Sequence, residues 1–381
     1  MNPRVLVLFF TRGVSLMEWV ERGMFDREKR TYEELLRRGH VDEVLWLTYG
    51  EHDQKFAEQL SREGVLHPGI RVLPMPHCFA SRWGRMFYSL VAPWLHRRAL
   101  ASAFVFKTNQ MDGAWTAWVA KLLLNKTFYL RTGFTLSLFE AQGAPGKTLR
   151  IKLFAAIEKL LYRRADVASV SSLRDLAYVT GVCGAKNVRV VRNYVDVSRF
   201  NTENRNPESG RMVFVGRLHA QKNLDVFLRS LAGTAWILNL YGDGPERDRL
   251  ERIAADCGVA AVFHGSVPNS ELPGILSRAA VFALPSLYEG MPKALLEAMA
   301  CGCLCLGADV PGVNEVIEDG VNGFLAAAPT EAGFKALFGR MADYDEDALR
   351  LVALSGAAHI RDRYSLDAIV EQEAEIMRSF S

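Results

Sequence analysis

Twice along this chain, short apolar runs of strand length alternate with helical patterns, and a polar stretch separates the two series. The first series opens with "RVLVLFF" (4–10) and "VDEVLWLTY" (41–49). Between them lies the helix-like "DREKRTYEELLRRG" (26–39), whose Gly39 stands where a helix-ending glycine belongs. "AFVFKT" (103–108) and "TFYLRT" (127–132) flank the apolar helical run "GAWTAWVAKLLL", and "ADVASVSS" (165–172) and "NVRVVRN" (187–193) continue the pattern. The segment "DVSRFNTENRNPESGR" (196–211) is rich in Asn, Ser, Pro and Gly and reads as a linker. The second series then runs "MVFVG" (212–216), "WILNLYG" (236–242), "AVFHGSV" (261–267), "VFALPS" (281–286), "CLCLGA" (303–308) and "GFLAA" (323–327), with a last helix in "SLDAIVEQEAEIMRSFS". Strands alternating with helices predict α/β architecture with parallel sheets. With 381 residues and about 100–200 residues per domain, the expectation is two Rossmann-like domains, 1–195 and 208–360. Ligands of such sheets gather at strand carboxyl ends, and the cleft between two domains is the expected site.

Composition narrows the class. The hydrophobic share of 49% suffices for sizeable cores, and no run approaches the roughly 18 apolar residues of a membrane helix. The opening "MNPRVLVLFFTRG" lacks a long apolar region and a small-residue cleavage site, so it is expected to be a first strand rather than a signal peptide. Six cysteines at 78, 183, 257, 301, 303 and 305 form no disulfide framework, and the C-x-C-x-C run has no further metal ligands near it in sequence. Buried thiols in a reducing, cytoplasmic setting are the expectation. Net charge is only +3, but residues 1–195 hold 29 Lys+Arg against 17 Asp+Glu, and residues 64–139 hold nine basic residues against one acid, Asp112. The first half therefore faces an anionic partner. No zinc-finger, RNP or basic-zipper pattern is present, so nucleic acid is not the expected one.

Three constellations carry chemistry. In "SLYEGMPKALLEAMACG", the strand "VFALPS" feeds a turn, Pro292 suits a first helical position, Glu289 falls in the loop and Glu297 within the helix. The free N–H groups of a helix start, with Lys293 beside them, favour an anion. The loop carboxylate can accept sugar hydroxyls and the helix carboxylate can hold a ribose diol. In "FVGRLHAQKNL", the strand ends at Gly216 and two cations, Arg217 and Lys222, follow at a strand-to-helix turn, a pattern that matches a diphosphate. "YGDGPERDRL" is a tight turn into a helix, with Gly242 and Gly244 allowing close backbone approach.

Taken in order, "FVGRLHAQKNLDVFLRSL", "LNLYGDGPERDRLERIA" and "VFHGSVPNSELPGILSRAAVFALPSLYEGMPKALLEAMACGCLCLGADVPGVNEVIEDGVNGFL" resemble the C-terminal domain of family-4-type retaining glycosyltransferases of the GT-B fold. Three features stand in that family's order: the E-x7-E pair, the Gly-Arg…Lys-Asn loop and the P-G-x-x-E-x-I loop. The resemblance implies transfer of a sugar from a nucleoside-diphosphate sugar, with uridine diphosphate the expected carrier. It also implies no obligatory metal or other cofactor, and a glycolipid or growing polysaccharide as acceptor. It implies that Arg217 and Lys222 bind the diphosphate, Glu289 the sugar and Glu297 the ribose, with Gly216, Gly290, Met291 and Lys293 bordering the donor. Glu315 in the P-G-x-x-E-x-I loop is expected to be structural, and the helix at about 365–381 to pack back on the first domain. The D-x-D within "DYDED" (343–347) reads as solvated surface.

The first half departs from the family. In place of a glycine-rich loop it offers only Gly13, and where the family often has a histidine it has Arg131, followed by Gly133. Arginine is no general base, so Arg131 and Gly133 are expected to serve the acceptor or a phosphate. His40 and His264 fill no such role. Two stretches, 81–100 and 146–166, mix Arg and Lys with aromatic and aliphatic residues in the manner of segments that lie on anionic bilayers. A peripheral position on the cytoplasmic face of a membrane follows as an expectation. The alternatives kept open are a nucleotide-sugar epimerase of the same fold and a non-catalytic partner protein.

Overall fold

The computed structural model describes residues 3–133 and 148–380, and within the helix Thr148–Arg164 the side chains from 152 onward. Gly146, Lys147 and the Arg150 side chain of the second basic segment therefore lie outside the described residues. The chain forms two compact units, one of Met1–Arg192 with Ile369–Ser381, the other of Asn193–Ala368. The last helix, Leu366–Arg378, thus enters the first unit from Ile369 onward.

The first unit holds a seven-stranded sheet. Its strands are β1 (Val5–Phe9), β2 (Glu43–Leu47), β3 (Ile70–Leu73), β4 (Ala103–Thr108), β5 (Thr127–Arg131), β6 (Val167–Val170) and β7 (Val188–Val190). They pair in the order β3-β2-β1-β4-β5-β6-β7, parallel throughout. β1 is buried along its whole length, as a strand covered by helices on both faces must be. The second unit holds a six-stranded parallel sheet, β10-β9-β8-β11-β12-β13. Its strands are β8 (Glu208–Val215), β9 (Ile237–Tyr241), β10 (Ala261–Gly265), β11 (Ala279–Leu284), β12 (Leu304–Ala308) and β13 (Phe324–Ala326).

Two local readings are corrected. β8 begins at Glu208, inside the stretch read as linker, because Glu208 pairs with Ala279 of β11 and Arg211 ties it down through Glu208 and the Tyr241 hydroxyl. β3 was not anticipated; it is a four-residue edge strand with Arg71 turned outward onto Glu43 of β2. The helix Phe25–Arg37 ends as its sequence requires: Gly39 takes φ 68°, and its N–H donates to Leu36 O.

Five of the 11 tyrosines, Tyr32, Tyr49, Tyr88, Tyr129 and Tyr162, are buried in the first unit. Loss of water raises the pKa of each phenol, that of Tyr49 to about 12. The unfolded chain releases these protons near pH 10 while the native chain keeps them. Their contribution to stability is therefore complete below about pH 10 and is lost as the pH rises above it. Five phenols should stay silent in a tyrosinate absorbance titration until the fold is lost cooperatively. Smooth ionisation of all 11 with circular dichroism unchanged would contradict this.

Candidate functional site

In the second sheet, β8 and β11 are neighbours although β9 and β10 intervene in the chain. The connections leave this pair in opposite directions, and the crevice so opened at the strand carboxyl ends is where open α/β sheets bind ligands. Two loops meet there. One follows β8 through Gly216, Arg217 and the short turn Ala220–Lys222 into the helix Leu224–Ser230. The other follows β11 through Ser286 and Glu289 into the helix Lys293–Ala300.

The loops are tied by backbone and amide bonds. Leu287 N donates to Gln221 O at 2.9 Å, and Gln221 Nε2 donates to Tyr288 O at 2.7 Å. Asn223 sits in the left-handed region at φ 55°, which asparagine tolerates, and its side-chain amide donates to Pro285 O and Pro329 O. Held this way, Lys222 Nζ lies 2.6 Å from Glu289 Oε1, and Ser286 Oγ donates to the same oxygen at 2.5 Å. Glu289 is buried to all but 8% of its surface, so these two partners stand in for the water its carboxylate has lost.

Two glycines let the backbone close around this pair. Gly312 has φ 85°, and a Cβ there would stand 2.4 Å from Glu289 O. Gly242 has φ 142°, and a Cβ there would stand 1.9 Å from Gly216 O. The loops after β8 and β9, and those after β11 and β12, can therefore approach one another only with no side chain at these points.

The helix beyond the pair starts one residue later than the sequence suggests. Pro292 is its N-cap rather than its first residue, because the chain still has ψ 86° there, and the cap offers no side-chain hydrogen bond. The first-turn N–H groups of this helix, with Lys293 at its head, form a setting for an anion. Glu297 lies inside the helix, where Asn269 Nδ2 donates to its Oε1 at 3.4 Å. Arg217 is exposed and has no ion pair among the described residues. Gly290 has open space where a Cβ would stand, and Met291 packs against the core of this unit. A cation pair at a switch point, a buried carboxylate and a helix start together suit a ligand with both a diphosphate and hydroxyl groups.

The remaining predicted residues belong to the first unit. Gly13, in the loop after β1, lines a cavity of about 360 Å³ together with Ser15, Tyr49, Asp53 and Arg85. A second cavity, of about 270 Å³, opens between the ends of β1 and β4, at that sheet's own switch point. Gly133 accepts a hydrogen bond from Ser171 Oγ. Arg131 is held by the protein itself: its Nε lies 3.2 Å from Glu373 Oε1, and Lys107 Nζ lies 3.0 Å from Glu373 Oε2. Lys107 Nζ also sits 5.0 Å and 5.6 Å from the ring centroids of Tyr32 and Tyr129. Burial lowers the pKa of Lys107, and Glu373 pulls it part of the way back.

Other sequence readings find structural explanations. His40 Nε2 lies 3.3 Å from Glu371 at a helix end, and His264 stacks on Tyr241 and meets Asn239 Oδ1 at 2.9 Å. Burial raises the pKa of Cys303 to about 11, and its thiol donates to Leu276 O. In the acidic run, Asp345 caps the helix Glu346–Tyr364 by accepting from Ala348 N. Sequence analysis gave no role to Ser286, Gln221, Lys107 and Glu373, and named Asn223 and Gly312 only as members of the Lys-Asn and P-G-x-x-E-x-I loops. Ser286 and Gln221 stand in loops already singled out, whereas Lys107 and Glu373 had no local signal.

Comparison with known proteins agrees with the fold. A family model described as "Glycosyl transferases group 1" matches residues 198–351, and one described as "Glycosyl transferase 4-like domain" matches residues 23–194. The chain is 27% identical over 241 residues to the amylovoran biosynthesis glycosyltransferase AmsK of Erwinia amylovora, an alignment covering 59% of this chain and 57% of that one. The chain spans about half the length of the curated relatives it matches. Among solved structures, sucrose-phosphate synthase from Thermosynechococcus elongatus superposes with a TM-score of 0.72 at 18% identity, covering 99% of this chain and 98% of that one. Anabaena Alr3699/HepE, solved in complex with UDP and glucose, superposes with a TM-score of 0.68 at 17% identity, covering 98% and 99%. Two parallel-sheet units, the paired loops at the second switch point and two family models spanning most of the chain lead to one statement: the chain belongs to the group 1, family-4-type glycosyltransferases and has the GT-B fold.

Proposed function

We propose that this protein is a retaining glycosyltransferase. It moves a sugar from a nucleoside-diphosphate sugar, a UDP-sugar foremost, to a glycolipid or growing cell-surface polysaccharide at the cytoplasmic face of a membrane. The observation that carries the reading is the Lys222–Glu289 pair, with Ser286, at the switch point of the second sheet. Two relatives add support for the donor and acceptor classes: the Erwinia protein is named for amylovoran biosynthesis, and the Anabaena structure holds UDP and glucose.

In this reading Arg217 and Lys222 bind the diphosphate and offset the charge that grows on it as the sugar–oxygen bond breaks. That charge stabilisation is a role for which no metal is required. Lys293 and the helix start beside it add to the same field. Glu289 holds sugar hydroxyls, Glu297 the ribose, and Gly216, Gly290 and Met291 shape the walls. The bond between the anomeric carbon and the diphosphate oxygen breaks, and its electron pair leaves with the diphosphate. The acceptor oxygen bonds to the same face of that carbon, and its proton passes to the departing diphosphate.

The test joins binding to turnover. A thermal-shift screen of nucleotides and nucleotide sugars should show a rise in melting temperature with UDP or a UDP-sugar, because a ligand of the folded state alone stabilises it by mass action. Incubation with that donor and lipid or oligosaccharide fractions should then yield a glycoside, and NMR should show the donor's anomeric configuration kept. Product formed without acceptor would replace the reading with an epimerase. Donor binding with no turnover across the acceptor fractions would replace it with a non-catalytic partner.

A further inference from the structure

The helix Arg82–Leu95 is apolar on two faces. One face carries Tyr88, Ser89, Ala92 and Pro93, all buried. It is fixed to the helix Ala114–Leu124, where Trp115 Nε1 donates to Ser89 Oγ and Thr116 Oγ1 donates to Ser89 O. The opposite face carries Trp83, Phe87, Leu90 and Trp94, spaced as successive turns of one stripe. These four are exposed to 83%, 58%, 46% and 51%, and Met86 flanks them. Single exposed hydrophobic residues are ordinary, whereas a continuous stripe with two tryptophans marks a surface made for a partner.

Charge selects the partner. Arg82 and Arg85 stand in the first turn, and Arg97 and Arg98 follow the last. All four are exposed, and none has a carboxylate partner among the described residues. The only acid in residues 64–139, Asp112, is engaged by Arg12. A second copy of this chain seated on the stripe by two-fold symmetry would bring arginines against arginines. An anionic bilayer offers what both parts of this surface lack: phosphates for the arginines and an acyl boundary for the aromatic rings. No helix among the described residues is long and apolar enough to cross a membrane, so the contact would be peripheral.

We propose that the face Trp83–Phe87–Leu90–Trp94, with Arg82, Arg85, Arg97 and Arg98 around it, lies in the headgroup region of an anionic membrane. This inference rests on the transferase reading only for its purpose, which is to bring the first unit to a lipid-linked acceptor. It also ranks the two basic stretches. In the helix Thr148–Arg164 the exposed apolar residues among the described side chains are Leu153, Ala156 and Leu160, with no exposed aromatic ring.

The test is co-sedimentation with phosphatidylcholine vesicles, with and without phosphatidylglycerol. The wild-type protein should partition at least tenfold more strongly to the anionic vesicles, with a blue shift of tryptophan fluorescence. The variant W83S/F87S/W94S and the variant R82Q/R85Q/R97Q/R98Q should each lose at least tenfold in partitioning. Their melting temperatures should stay near wild type, since the changed side chains are exposed. Equal recovery of wild type in the supernatant with both vesicles overturns the inference. So does a stripe variant that still binds, or a wild-type dimer that the stripe variant converts to monomer. UDP binding, measured by thermal shift without vesicles, reports the donor site separately. Its loss in all proteins would sink the transferase reading and leave the membrane contact standing.

Discussion

Glu373→Ala should destabilise the first unit by about 3–5 kcal/mol, the range for removing one partner of a buried ion pair. The carboxylate lies 3.0 Å from Lys107 Nζ and 3.2 Å from Arg131 Nε, and the side chains of Glu373 and Lys107 are each 1% exposed. Alanine leaves two cations without the anion that offsets their lost hydration. The faces of Tyr32 and Tyr129 near Lys107 recover only part of that, since a cation over a ring is worth about 0.5–2 kcal/mol. For a unit of this size the melting temperature should fall by roughly 10 °C. Adding Lys107→Met to the variant should return part of the loss, because one of the stranded charges is then gone. The lysine also fixes a pH dependence. Its native pKa is already below the ordinary lysine value, and loss of Glu373 lowers it further. Between that lowered value and the wild-type one, the native variant has released a proton that native wild type keeps, so the variant's deficit should shrink as pH rises through that window and stay level above it. Hydrogen exchange should locate the damage in the helix Leu366–Arg378, which brings Glu373 to the sheet. A loss under about 1 kcal/mol, or one insensitive to Lys107→Met, would show that the cluster is not coupled in this way.

That cluster also marks how far a sequence can be read. Periodicity revealed the alternating elements, because a helix or strand writes its own spacing into neighbouring residues. It missed β3, whose four residues give too few repeats of the in–out pattern to register against the prolines on either side of it. It shortened β8, whose polar start at Glu208 is strand only because β11 pairs with it. The donor residues were legible one motif at a time. Lys222 followed a strand-end glycine, and Glu289 preceded a helix. Their direct contact was not legible, since it depends on β8 and β11 becoming neighbours across two intervening strands. Arg131 stood out only as a departure from a familiar histidine. Its partner comes from the final helix, and nothing in the spacing of either segment links them.

Lys222→Ala and Glu289→Ala should each lower kcat by about 10²–10³, the cost of removing one group aimed at charge that develops in the transition state. The two losses have different origins. Lys222 would act on the departing diphosphate, so its removal should weaken turnover with every donor sugar alike. Glu289 would hold sugar hydroxyls, so its removal should also blur discrimination between sugars that differ at one hydroxyl. The ion pair at 2.6 Å couples them. Without Lys222, the Glu289 carboxylate keeps only Ser286, at 2.5 Å, among the described residues, within a nearly closed setting. Without Glu289, the ammonium is free to turn toward solvent, since the Lys222 side chain is 17% exposed. The double variant should therefore lose much less than the product of the single losses, as groups acting as a unit do. Glu289→Gln separates charge from shape: it keeps a hydrogen-bonding side chain near Ser286 but gives up the ion pair, and it should fall between wild type and Glu289→Ala. Arg217→Ala supplies the contrast, because an exposed cation with no ion pair among the described residues can be lost without disturbing the fold. Its effect should appear as weaker UDP binding and slower turnover at an unchanged melting temperature. Near-normal kcat in both Lys222→Ala and Glu289→Ala, measured on folded protein, would move the chemistry away from this switch point altogether.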